Sequence, residues 1–125
     1  MFKERSDSQL LQARTAAAAV GTTRRSRDVK QLHNHSADAA RLLKALANEN
    51  RLMILCLLFE GPRSVSGLNA ALSLSQSALS QHLAVLRAEG LVSTKRQAQT
   101  VYYRLASVQA RRVIETLHGI YCRSK

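Results

Sequence analysis

The sequence predicts a mainly α-helical domain carrying one β-hairpin, and three observations lead there. Alanine and leucine supply 18 and 19 of the 125 residues, against 11 for valine plus isoleucine, a balance that favours helix over sheet. Apolar residues recur at helical spacing from Ser36 to Gly90. Beyond Gly90 the period drops from about 3.6 to about 2 before turning helical once more.

Residues 1–35 stand apart. They hold seven Lys/Arg and three Asp/Glu, the run Ala16 to Ala19 and the polar stretch Gly21 to Arg27. Lacking a sustained apolar face, they are expected to form a basic, disordered N-terminal arm. Its Arg/Ser bias loosely resembles an organelle transit peptide, a reading that Glu4, Asp7 and Asp28 oppose. Residues 36–125 are the expected folded domain. Ser36 suits an N-cap and Asp38 a first helical turn, after which Ala39, Leu42, Leu43, Leu46 and Ala47 make one buried stripe. Asn48-Glu49-Asn50 interrupts it. Arg51 to Glu60 is apolar nearly all round, as the central helix of a small bundle should be, and Gly61-Pro62 ends it.

Ser66 is then expected to cap a short helix with Leu68, Ala71 and Leu72 inward. After a tight turn at Ser73-Leu74-Ser75, a longer helix runs from Gln76 to Glu89 with Leu79, Leu83 and Leu86 inward, and Gly90 closes it. A short helix, a three- or four-residue turn and a longer helix is helix-turn-helix spacing. Leu91 to Arg96 and Thr100 to Leu105 read as strands around Gln97-Ala98-Gln99, although the tip lacks the usual Gly or Asn. Ser107 caps a last helix whose apolar side is Ala110, Val113, Ile114, Leu117, Ile120 and Tyr121. That stripe is wide for a terminal helix. Together with Ala39 to Ala47 it predicts a homodimer formed through the first and last helices of the domain.

A formal charge of +11 and an isoelectric point near 10.9 call for a polyanionic partner. An anionic membrane surface would satisfy the same sign. The longest strongly apolar run, Leu52 to Phe59, is far below the roughly 20 residues that cross a bilayer, and nothing near Met1 resembles a secretory signal. A soluble, cytoplasmic protein without a membrane partner is expected. The element order with this charge describes a winged helix-turn-helix that binds double-stranded DNA. Gln76 to Glu89 should enter the major groove, with Ser75, Gln76, Ser77, Ser80 and Gln81 towards bases and phosphates. Lys95, Arg96 and Gln99 should grip the backbone from the wing. The plainer alternative is a solvated polar face on an ordinary helix. No paired carboxylates, nucleophile triad or Gly-rich phosphate loop suggests an enzyme, and no cofactor is expected.

Four blocks carry a resemblance: Leu46-Ala47-Asn48-Glu49-Asn50-Arg51-Leu52, Leu74 to Leu83, Leu86-Arg87-Ala88-Glu89-Gly90-Leu91-Val92, and Val101-Tyr102-Tyr103-Arg104-Leu105. Over residues 36–122 the chain resembles the ArsR family of dimeric winged-helix repressors. The resemblance implies operator DNA as partner and gives His82 a structural or phosphate-facing role. It also implies no metal: Val65 to Asn69 lacks the family's thiolates, and the last helix offers only Glu115 and His118.

The placement of Cys56 and Cys122 resembles the BigR, SqrR and HlyU branch of the family. That resemblance implies a redox-sensing dithiol, linked by reactive sulfur species or oxidants, upon which the operator is released. Cys122, near Arg123, Lys125 and His118, is expected to react first, and Cys56, flanked by Leu55, Leu57 and Leu58, to resolve. From their count alone the two cysteines would be read as inert core fillers. Leu74 to Leu83 and Gln97 to Thr100 also look like the nodulation repressor NolR, which implies constitutive binding. A metal or haem responder built on Cys56, Cys122 and His118, and an architectural DNA binder using residues 1–35, complete the alternatives.

Overall fold

The structure, a computed structural model, describes residues 22–122 and divides between Ala39 and Ala40 into two units. The order is α1 (Thr22–Asn34), α2 (Ser36–Leu46), α3 (Glu49–Glu60), β1 (Arg63–Ser64), α4 (Val65–Ala71), α5 (Gln76–Ala88), β2 (Val92–Gln97), β3 (Thr100–Leu105) and α6 (Val108–Tyr121).

In the first unit the sequence predicts a disordered arm up to residue 35, yet Thr22–Asn34 is helical. The missing apolar stripe argues against burial, not against helix. The segment holds neither glycine nor proline, and its arginines, lysine, glutamine and leucine are good helix formers. The Ser36 hydroxyl donates to the His33 carbonyl at 2.9 Å, so it closes the end of α1 where an N-cap for α2 was expected. The alanine run and the rest of residues 1–21 lie outside the described residues.

In the second unit one short segment ends α2 and starts α3. Asn48 Oδ1 accepts from the Asn50 and Arg51 amides at 2.9 and 3.0 Å, satisfying donors that have no partner within the helix. Arg51 reaches back, donating to the Ala45 carbonyl at 2.7 Å and to that of Lys44 at 3.3 Å. Helix α3 therefore begins at Glu49, two residues before the expected Arg51. Its Ile54, Leu55 and Leu58 are buried, and it packs against α5, β3 and α6. Gly61 ends it with its amide donating to Leu58 at 3.1 Å.

Strand β1 was not anticipated, since two residues are too few to show a period. It pairs antiparallel with β3, Arg63 opposite Tyr103, and makes the hairpin a three-stranded sheet of order β1-β3-β2. The cap of α4 is Ser64, not Ser66: Ser64 Oγ accepts from the Gly67 amide at 3.0 Å. Residues Leu72 to Ser75 turn the chain into α5, whose Leu79, Leu83 and Leu86 are buried as expected. Gly90 leaves α5 with φ of 75°, a conformation that favours glycine. Among the described residues every buried side chain is apolar, and no helix is long and apolar enough to cross a membrane.

The hairpin loop is shorter than the sequence suggested. Gln97 pairs with Thr100, leaving only Ala98 and Gln99, and Ala98 carries φ of 56°. A two-residue turn with positive φ at its first position suits glycine, and a Cβ there is strained. Ala98→Gly is expected to raise stability by about 0.5–1 kcal/mol, measured by urea unfolding, because the strain relieved exceeds the added chain entropy. In α6, Ser107 caps by accepting from the Ala110 amide at 3.0 Å, and Ala110 and Ile114 are buried. Ile120 and Tyr121 remain 60% and 80% exposed, as Leu43 on α2 does at 57%.

Candidate nucleic-acid interface and cysteine pair

Helix α5 owes its position to one leucine stripe. With Leu79, Leu83 and Leu86 anchored, Gln76, Ser77, Ser80 and Gln81 fall within an arc of about 140° at 100° per residue, and all four are exposed. The helix has no acidic residue in its first turn, so nothing offsets the positive end of its dipole. Ser75 is exposed too, but its Oγ accepts from the Ala78 amide at 3.1 Å and so serves as N-cap. His82 lies roughly 160° round the helix from Ser80 and is half-buried, which separates it from that face.

On the wing, Lys95, Arg96 and Gln99 are all exposed. Strand alternation puts Lys95 and Arg96 on opposite faces, Lys95 across from Tyr102 and Arg96 across from Val101. Lys95 instead shares a face with Gln97, Tyr102 and Arg104, which with Pro62 line a shallow cavity of about 380 Å³. Arg104 Nε donates to Ser93 Oγ at 3.1 Å across the strands. Sequence reasoning gave Tyr102 and Arg104 no role, although the alternation of the second strand already sets them on one face.

Behind α5, Arg41 on α2 meets Glu89, the C-cap of α5, at 2.7 Å. Arg41 is 69% exposed, so the pair contributes about 0–1 kcal/mol, but it ties the end of α5 to α2.

Cys56 and Cys122 are both free thiols, the first half-buried on α3 and the second exposed at the C-cap of α6. The two helices pack directly on each other. Burial, foremost, pushes the Cys56 thiol above its ordinary range, and the charges of Cys122 and then Glu60 push it the same way. Between the same two helices the Phe59 and His118 rings sit 6.1 Å apart, and the Arg111 guanidinium lies 5.6 Å from the centre of Phe59. Among the described residues no three His, Cys, Asp or Glu side chains gather as a metal site requires.

A family model described as bacterial regulatory protein, arsR family, matches residues 48–94. The transcriptional activator HlyU of Vibrio cholerae is 52% identical over 97 residues, covering 78% of this chain and 90% of its own length. The crystal structure of the transcriptional repressor BigR from Xylella fastidiosa is 36% identical, with a TM-score of 0.71 over 76% of this chain and 97% of that one. The nodulation protein NolR of Rhizobium meliloti is 46% identical over 89 residues, covering 71% of this chain and 73% of its own length.

Proposed function

The chain belongs to the arsR family of bacterial regulatory proteins and is a transcriptional regulator of the HlyU and BigR type, and on that premise we propose that it is a homodimeric repressor released from operator DNA when Cys56 and Cys122 become linked. The inducers are reactive sulfur species or oxidants, acting in the cytoplasm. Exposed Leu43, Ile120 and Tyr121 support the dimer, because water-facing leucine, isoleucine and tyrosine on two helices gain from being covered by a second copy. Two recognition helices must stand about 34 Å apart to enter successive major grooves. Joining α3, which supports α5, to α6 would change that separation.

What carries the reading is the packing of α3, which holds the half-buried Cys56, against α6, which ends at the exposed Cys122. Accessible Cys122, as thiolate, attacks a terminal sulfur of a polysulfide. The polysulfide S–S bond breaks and its remainder leaves with the electron pair, giving a Cys122 persulfide. Cys56 loses its proton to water and attacks the Cys122 sulfur. Hydrosulfide departs, carrying the two electrons by which the thiols are oxidised. Attack on an inner sulfur of a longer Cys122 chain, with the sulfur beyond it leaving as hydrosulfide, instead keeps extra sulfur in the bridge.

Because the Cys56 thiol is raised, little of it is thiolate near neutrality. Bridge closure is expected to accelerate about tenfold per pH unit from pH 7 towards pH 9, followed by quenched mass spectrometry. The decisive experiment treats reduced protein with polysulfide and maps the products by mass. A Cys56–Cys122 linkage within one protomer supports the proposal. Two unlinked cysteines under conditions that modify Cys122 would overturn the proposal and leave a constitutive repressor.

A further inference from the structure

Between α5 and the wing runs a groove that base reading by α5 and backbone gripping by the wing leave unused. Ser80, Ala84, Arg87 and Ala88 form one wall and Tyr103 of β3 the other, around a volume of about 410 Å³. The four helical residues are spaced i, i+4, i+7 and i+8, so they make one stripe along α5. Ser80 belongs both to this stripe and to the face expected to read bases. The groove therefore continues the reading face towards the C-terminal end of the helix.

Its chemistry is that of an anion seat. Arg87 is exposed in the last turn of α5, and Glu89, the nearest acidic residue in sequence, is engaged by Arg41 at 2.7 Å. Ser80 and Tyr103, two of the lining residues, each carry a hydroxyl group. Ala84 and Ala88 present only methyl groups, which leaves room for a strand of backbone to descend between helix and wing. A guanidinium beside hydroxyls suits a phosphate, whose oxygens accept a forked pair of hydrogen bonds.

We propose that the groove seats a backbone phosphate of duplex DNA, with Arg87 supplying the charge, Ser80 and Tyr103 donating, and Ala84 and Ala88 giving clearance. The proposal rests on the reading of this chain as a DNA-binding regulator. A phosphate contact fixes register without reading sequence. Arg87 thus sets affinity and docking depth, while Gln76 and Gln81 face the bases.

The test uses the full-length reduced protein and two duplexes, its own upstream DNA and a scrambled version, titrated by fluorescence anisotropy over a range of salt. Arg87→Gln is expected to weaken binding about tenfold on both duplexes and to flatten the dependence of log affinity on log salt by about 0.9 for each phosphate that it no longer neutralises. Arg87→Lys should recover the salt dependence. Ala84→Leu, a good helix former at an exposed position, should block the groove and weaken both duplexes with an unchanged melting temperature. Gln76→Ala, by contrast, should change the ratio between the duplexes. Parent-like affinity and salt dependence in Arg87→Gln, or a loss confined to one duplex, would overturn the phosphate seat alone. A parent protein that binds neither duplex would overturn the DNA-binding reading and the seat together.

Discussion

Cys122→Ser is expected to bind operator DNA as tightly as the parent and to keep that affinity after polysulfide treatment, where the parent loses about 5- to 150-fold, the usual range of coupling between two sites. The substitution removes an exposed thiol at the end of α6 and disturbs no buried packing, so the reduced fold should be unaffected. Cys56→Ser is expected to lose the response as well, by a different route. It should gain sulfur at Cys122, visible by intact mass, yet form no bridge. A Cys122→Ser variant that still lets go of DNA on treatment would remove the dithiol from the mechanism.

Ile114→Ala is expected to cost about 2–5 kcal/mol, a large share of the roughly 5–15 kcal/mol that holds such a domain together. Ile114 is fully buried on α6, the helix that packs on α3 and ends at Cys122. Thermal unfolding should show a midpoint lowered by roughly 10–25 °C. A drop of only a degree or two would mean that α6 is not anchored through this face.

The helix-turn-helix was legible because one residue type carried it. Leu79, Leu83 and Leu86 fixed both the period and the inward face of α5, and with them the outward positions of Gln76, Ser77, Ser80 and Gln81. The cap of α6 at Ser107 was equally plain. Where two residues competed for one task, composition alone could not arbitrate. Ser64 and Ser66 both suit an N-cap, and only the hydrogen bond to Gly67 decides between them. Helix α1 was not legible because a buried apolar stripe is what announces a helix, and this one has none. Strand β1 exists only through its pairing with β3, a long-range contact that two residues cannot announce.

The candidate site divides in the same way. Helical spacing alone places Arg87 on the same stripe as Ser80, two turns further on, but Tyr103 joins them only once the sheet is folded. Likewise any pairing of Cys56 with Cys122 depends on how α6 packs across α3, which local pattern does not encode. Resemblance to relatives suggested that pairing. The separation of Lys95 from Arg96, by contrast, follows from strand alternation and needs no tertiary information.

Coupling between the thiols and DNA is tested most directly by one preparation titrated against its own upstream duplex, first reduced, then after polysulfide, then after re-reduction. Affinity should fall at least about fivefold on treatment, in step with the bridged mass, and return when the bridge is reduced. Unchanged affinity in a sample shown by mass to be fully bridged would contradict a sulfur-controlled regulator.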